Sequence, residues 1–301
     1  MNRKILLAAA FSTACLSATS AWAHAVCGNR VFPATLTMDD PGVGDELSLP
    51  TVQYARIPPS AGGGETTTYG YEWDKTITEH FGFAINGDYV TQSSGGVKDN
   101  GWDNVTLTLK DEVLCSQANE FMASIGIARE FAKTGSPQLL RDGVIDTVGN
   151  TAPTVYFGKG LGDLPIGWAR AFGITSEVDY AFSDSPNASP NELDYNFSLQ
   201  YSIPYLQQHV KDLGLPDFVG HLTPLVEVTM SSPNGQPTTG TIAPGVLYDA
   251  DTWQFGIEAT IPANSATWQS QGFGFIAQFH LFLDDILPNS LGKPLFGGRE
   301  T

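Results

Sequence analysis

Beyond residue 23 this 301-residue chain has no apolar run approaching the roughly 18 residues that a membrane-crossing helix needs. Helical periodicity is scarce throughout, so any crossing of a membrane would have to use strands closed into a barrel. Basic residues are also few: 15 Lys and Arg stand against 32 Asp and Glu. Nucleic acid is therefore not an expected partner. The five histidines, His24, His80, His209, His221 and His280, include no pair at the HExxH spacing of a zinc enzyme, and no GxSxG marks a nucleophile elbow. The runs DDPGVGDE, KDNGWDN and LYDADTW lack the spaced ligands and closing Glu of a calcium loop and read as turns. Neither enzymatic activity nor a cofactor is expected. No Pro/Ser linker or break in composition divides the chain, which reads as one domain.

What is present begins with MNRKILLAAAFSTACLSATSAWAHAV, a basic start followed by an apolar stretch and Ala-Trp-Ala. This is the pattern of a secretory signal peptide cleaved after Ala23; a lipoprotein acylated at Cys15 would call for a Leu-like residue where Ser12 stands. Losing Arg3 and Lys4 with the leader takes the formal charge from −17 to −19. Cys15 would be lost as well, leaving Cys27 and Cys115 either as one disulfide in an oxidising compartment or as two free thiols. Cleavage would also expose His24 as an N-terminal residue near Cys27, a candidate copper ligand.

Strand-like alternation bounded by Gly, Asn, Asp, Ser and Pro recurs along the rest of the chain. It predicts twelve strands, over 48–57, 66–76, 80–91, 102–111, 119–132, 150–159, 168–183, 192–203, 222–231, 238–248, 252–262 and 272–283. Their connections alternate between long polar loops (PPSAGGGETT, QSSGGVKDN, KTGSPQLLRDGVIDTVG, SDSPNASPN, SSPNGQPTT and PANSATWQSQG) and shorter turns (DKTITEH, DEVLCSQAN, GKGLGDLPIG and YDAD). An antiparallel up-and-down transmembrane barrel predicts that alternation, with long outer loops and short periplasmic turns. One periplasmic connection, PYLQQHVKDLGLPDFVGH, is long and spaced like a short amphipathic helix, and is expected to form a small cap. An even strand number puts both termini on the periplasmic side, where Cys27 can meet Cys115 in the turn DEVLCSQAN.

Each strand carries an apolar row and a polar one. Leu193, Tyr195, Phe197 and Leu199 alternate with Glu192, Asp194, Asn196, Ser198 and Gln200, and Phe273, Phe275, Ala277, Phe279, Leu281 and Leu283 alternate with Gln278 and His280. A soluble sandwich would alternate too, but its wet face would carry more Lys and Arg than these rows do. The apolar rows are therefore expected to face outer-membrane lipid and the polar rows a lumen.

Several stretches are distinctive beyond their periodicity: HAVCGNRVFPATLTMDDPGVGDELSLP, NEFMASIGI, PTVYFGKGLGDLP, YSIPYLQQHVKDLGLP and FLDDILPNSLGKPLF. Together they resemble an uncharacterised, transporter-like family of Gram-negative outer-membrane β-barrels, close to the barrels of the meta-pathway of phenol degradation. The resemblance spans nearly the whole mature chain. It implies passive passage of small solutes, including small hydrophobic or aromatic compounds, and brings no catalytic or binding residues to transfer.

The candidate lumen set is Glu72, Asp88, Glu177, Asp179, Asp194, Glu227, Glu258 and His280, with Glu192 beside it and Lys110 as the main opposing cation. An acidic wall favours cations if a water-filled path exists. The alternative is a filled lumen, with Arg30, Arg56, Arg141 or the N-terminal segment pairing those carboxylates. A non-transporting barrel that scaffolds a periplasmic or surface protein partner, and a secreted soluble β-protein, are the other readings. The chain divides on this basis into signal peptide (1–23), periplasmic N-terminal segment (24–47), barrel (48–284) and periplasmic tail (285–301).

Overall fold

The computed structural model describes residues 25–297; the expected signal peptide, His24 with its candidate metal role, and the last four residues of the tail lie outside the described residues. The strands are β1 (Ala25–Cys27), β2 (Arg30–Phe32), β3 (Glu46–Ile57), β4 (Gly64–Thr76), β5 (Phe81–Ser94), β6 (Val97–Trp102), β7 (Val105–Ser116), β8 (Phe121–Phe131), β9 (Asn150–Gly160), β10 (Phe172–Ser183), β11 (Glu192–Tyr201), β12 (Leu222–Pro233), β13 (Thr239–Asp249), β14 (Trp253–Pro262) and β15 (Gly274–Phe282). From β3 onward each strand pairs antiparallel with the next, except β6 with β7, and β15 pairs with β3 to close the sheet on itself. One half of β5 pairs with β6 and the other half with β7, so those two share a single wall position. The result is a closed 12-strand antiparallel barrel. Closure leaves no strand edge free except that of β6, which pairs with β5 alone.

Sequence expectation and structure differ at several element ends. The stretch QSSGGVKDN is no loop: β5 and β6 run through it, registered from Tyr89 with Trp102 to Ser94 with Val97. Strand pairing likewise continues into the expected turn DEVLCSQAN as far as Ser116 with Phe121, beyond a bulge at Glu112/Leu114, so Cys115 sits on β7 and the turn is Gln117–Asn119. The start of the expected strand at 168 is a helical turn, Gly167–Ala171. Leu283, expected on the outer row of the last strand, instead opens the turn Leu283–Ile286 and is buried. The long connection after β11 forms short helical turns, Ile203–Tyr205, Leu206–Val210 and Asp217–Gly220, with Leu206 packed beside Ala171 and Tyr205 while Leu213 stays exposed.

The two faces of the wall invert the usual distribution of polarity. Ile125, Ile127, Val155, Phe197, Leu199, Phe255, Ile257 and Phe275 are exposed on the outside, while Ser124, Thr154, Thr175, Ser198, Gln200, Gln254 and Glu258 are buried within. Aromatic side chains gather towards both ends of the strands. At the rim where the chain enters and leaves, Phe218, Tyr248, Trp253 and Phe279 stack in series at 5.4 to 5.6 Å. At the opposite rim Tyr71 and Tyr89 meet Trp102, and Tyr54 stacks on Phe275. An exposed apolar band between two aromatic girdles is the surface that a lipid bilayer covers. The first rim is called the terminal rim below, and the second the loop rim.

Candidate functional site

The lumen takes its shape from the chain ahead of the barrel. The β1–β2 hairpin docks at the terminal rim, where Cys27 is disulfide-bonded to Cys115 (S–S 2.01 Å). Arg30 donates to the carbonyls of Arg170, Ala171 and Phe172 at 2.6 to 3.1 Å, lies 3.6 Å from Glu120 and stacks 3.9 Å above the Tyr205 ring. Tyr205 in turn donates to Glu120 Oε1 at 2.7 Å, and its hydroxyl is pushed up to about 12, first by burial and then by that carboxylate. Phe32 lies against the wall at Gly158, where a Cβ would come within 2.8 Å of the ring. Only glycine admits that approach.

Residues 33–45 then cross the inside of the barrel, and polar groups hold this crossbar along its length. Gln254 donates to the Ala34 carbonyl at 2.7 Å, and the backbone N–H groups of Thr37 and Asp39 donate to Glu227 and Glu177, each at 3.1 Å. Leu36 packs with Leu225, Leu247 and Ile276 and occupies the space a side chain at Gly256 would need. Further on, Lys110 donates to Asp39 Oδ2 at 2.7 Å and to the Asp40 carbonyl at 2.6 Å, and Ser124 donates to the Pro41 carbonyl. Burial pushes the Asp40 carboxyl up to about 6, against the opposing pull of Lys110. Asp45 accepts from Lys75 Nζ at 2.6 Å and from the Thr76 N–H and hydroxyl at 2.8 and 2.7 Å. The chain then enters the wall at Glu46, whose carboxylate meets His280 Nε2 at 2.6 Å while His280 Nδ1 meets Ser48 at 2.8 Å.

On the loop side of the crossbar lies a cavity of about 710 Å³ with Ala34 to Asp39 as its floor. Eight carboxylates line it, from Asp39, Glu46, Glu72, Asp74, Asp88, Glu177, Asp179 and Asp194, and no lysine or arginine does. A second cavity, about 480 Å³, lies towards the terminal rim between the β1–β2 hairpin, Tyr205, Thr223 and Asp249. Between the crossbar and the wall of β4, β5 and β7 there remains a seam of about 20 Å³, bordered by Asp39, Asp40, Asp74 and Lys110. That is room for about one water molecule.

The expected lumen residues therefore occupy three places. Glu72, Asp88, Glu177, Asp179, Asp194 and His280 line the loop-side cavity, and Lys110 stands at the seam. Glu227 and Glu258 are buried away from the cavity, Glu227 beneath Thr37 and Glu258 beside Gly245. Of the arginines considered as internal partners, Arg30 faces Glu120, Arg141 is an exposed neighbour of Asp142, and Arg56 is exposed at the end of β3. The carboxylates are met by the N-terminal segment instead, through its backbone. Asp39 and Glu46 were not among the expected lumen residues because DDPGVGDE has no strand period and reads as turn.

No protein-family model matches the chain, and no curated protein matches it. Among solved structures, the chain is similar to the COG4313 outer membrane channel from Pseudomonas putida F1, with a TM-score of 0.53 and 10% identity over 84% of this chain and 99% of that one. The KdgM porin matches 77% of this chain and 98% of its own with a TM-score of 0.46 and 9% identity. At such identity the likeness to the COG4313 channel is one of fold alone, that of a closed antiparallel β-barrel.

Proposed function

We propose that the protein is an outer-membrane channel for passive passage of small solutes, with a preference for cationic over anionic ones. The observation that carries this reading is the loop-side cavity, which eight carboxylates line and no lysine or arginine does; Asp39 alone of the eight is met by a lysine, Lys110, from the seam. A wall of one sign raises the local concentration of opposite charge and repels its own, and low-dielectric surroundings strengthen the effect. The lipid-facing band and its aromatic girdles support a membrane location, and the fold shared with an outer membrane channel supports the outer membrane. The crossbar narrows the path: the seam beside it has room for about one water, so a larger solute passes there when residues 33–45 shift. Passage of small hydrophobic or aromatic compounds, and a tie to phenol degradation, rest on family resemblance alone.

Folded protein reconstituted in planar bilayers is expected to give discrete conductance steps, and liposomes carrying it to admit small organic cations faster than anions of equal size. Silence in the bilayer from folded, pure protein would remove the channel reading. The scaffold alternative draws on one feature, the segment after β15. Its backbone binds Thr76 and Ile77 through Leu295 and Phe296 while the Leu291, Leu295 and Phe296 side chains stay exposed at the terminal rim. A periplasmic protein captured by the full chain, and lost when residues 287–301 are deleted, would favour that alternative.

A further inference from the structure

The crossbar is tied firmly at its two ends and lightly in its middle. At one end stand the Cys27–Cys115 disulfide and the carbonyl bonds of Arg30; at the other, Asp45 takes bonds from Lys75 and Thr76 and the chain runs on into β3. In the middle, Asp40 Oδ1 accepts the Gly42 N–H at 2.6 Å, which folds this stretch into a compact turn. Glu227 and Glu177 each hold the middle by one backbone N–H, and Ser124 by one carbonyl. Lys110 holds it by more. Its Nζ donates to Asp39 Oδ2 and to the Asp40 carbonyl, lies 3.9 Å from Asp40 Oδ1 and sits 4.6 Å over the Tyr156 ring. Hydrogen bonds between ionised groups are the strong ones, so this lysine is the main hold on the middle.

The place of that contact matters as much as its strength. The seam is bordered by Lys110 and, on the wall, by Gly82, Ala84 and Thr108, whose side chains are absent or small. A shift of residues 39–44 away from this wall would widen the seam and join it to the loop-side cavity, since Asp39 borders both. Charge decides which way the middle goes. With Lys110 in place, the carboxylates of Asp39 and Asp40 have a cation between them and the wall. Without it they would meet Asp74 across the seam with nothing to offset the repulsion, which is strong away from bulk water. Lys110 therefore draws the crossbar to the wall and masks the force that would push it off.

We infer that residues 33–45 are an autoinhibitory strap and that Lys110 is its latch: passage between the two halves of the lumen opens when Asp39 and Asp40 leave that lysine. This rests on reading the barrel as a channel and names the contact that regulates it. Because both ends of the strap are fixed, opening is a bowing of its middle and not the loss of the whole segment. The strap can therefore return to the same wall.

Two readouts on the folded full chain test this. In Lys110→Met, amide hydrogen exchange at residues 37–42 should speed up about tenfold while exchange in the hairpin, residues 25–32, stays at the native rate, because only local opening is eased. Liposomes carrying the variant should admit arabinose about tenfold faster than those carrying the native chain, in step with the larger open population. Arabinose is the probe because it is neutral: loss of the lysine charge alone alters the flux of ions and leaves that of a neutral sugar unchanged. Lys110→Arg keeps the charge and should restore most of the native protection and the slow influx. If Lys110→Met does not fold, Asp39→Asn breaks the same pair from the strap side. Exchange at residues 37–42 that does not move overturns the latch. Potassium current through the native chain, with arabinose influx no faster in the variant, overturns the strap as a gate. Faster exchange in protein that conducts in neither form removes the channel reading and leaves the latch.

Discussion

The two halves of the lumen treat buried carboxylates in opposite ways. Around the crossbar most acids have protein partners: Asp45 holds Lys75 and Thr76, Asp39 holds Lys110, Glu227 and Glu177 take backbone N–H groups, and Glu46 meets His280; Glu258, buried against Glu227, is the exception. On the loop side Asp179 faces Asp194, and no lysine or arginine lines the space. Partners within the chain mark carboxylates that hold the fold. Carboxylates set against each other across a cavity lower stability, and their use lies with what enters. The same residue type is thus structural in one half and available for solutes in the other.

Breaking the anchored half should have the largest effects. Replacing Cys27 and Cys115 together removes a crosslink between residues 88 apart, for which chain entropy alone predicts a loss of about 4.6 kcal/mol. The expected readouts are a lower denaturant midpoint and faster proteolysis of the hairpin, and an unchanged midpoint would show that Arg30 and Phe32 suffice to hold it. Asp45→Ala takes away three bonds and leaves Lys75 buried without its carboxylate, a change expected to cost about 3 kcal/mol. A midpoint within experimental error of the native protein would contradict the structural role given to that acid.

Proton uptake sharpens the same contrast. Asp40 has its carboxyl raised by burial from 3.8 to about 6, so between those values the folded chain binds more protons than the unfolded one. Stability contributed at this site therefore falls as pH rises through about 4 to 6. Amide hydrogen exchange of residues 33–45, corrected for its intrinsic pH dependence, is expected to speed up between about pH 4 and pH 6.5, and the acceleration should vanish in Asp40→Asn. An equal response in that variant would assign the effect to another group. The smallest change lies on the loop side: Asp179→Asn with Asp194→Asn should leave the midpoint level or raise it by up to about 1 kcal/mol, since it relieves a like-charge pair. A clear loss of stability there would erase the distinction between the halves.

Much of the wall was legible in the sequence because strand faces obey a strict local period. Over Glu192–Tyr201 the row Asp194, Asn196, Ser198 and Gln200 faces inward as alternation demands, and Phe197 and Leu199 face out. The ends of strands were less legible, since Ser, Thr and Gly runs such as QSSGG suit a loop as well as a strand that projects beyond the membrane. The crossbar was the least legible element. Its contacts are long-range, Asp39 with Lys110 71 residues away and Thr37 with Glu227 190 away, and they use backbone N–H groups that no side-chain pattern advertises. The inward glycines that seat it, Gly158 against Phe32 and Gly256 against Leu36, look in sequence like any glycine on a polar strand face. Lys110 was the one usable hint: a single inward lysine in an acidic lumen needs an acid close by, and the acid run at Asp39 and Asp40 supplies it.

The division of the lumen into an anchored half and a free acidic half is tested most directly by ion selectivity. In planar bilayers under a potassium chloride gradient, the folded full chain should give a reversal potential of the sign set by cations, and Asp179→Asn/Asp194→Asn should move it towards zero without loss of conductance. A reversal potential set by chloride, or one unmoved by those two substitutions, would contradict the assignment of the loop-side carboxylates to passing solutes.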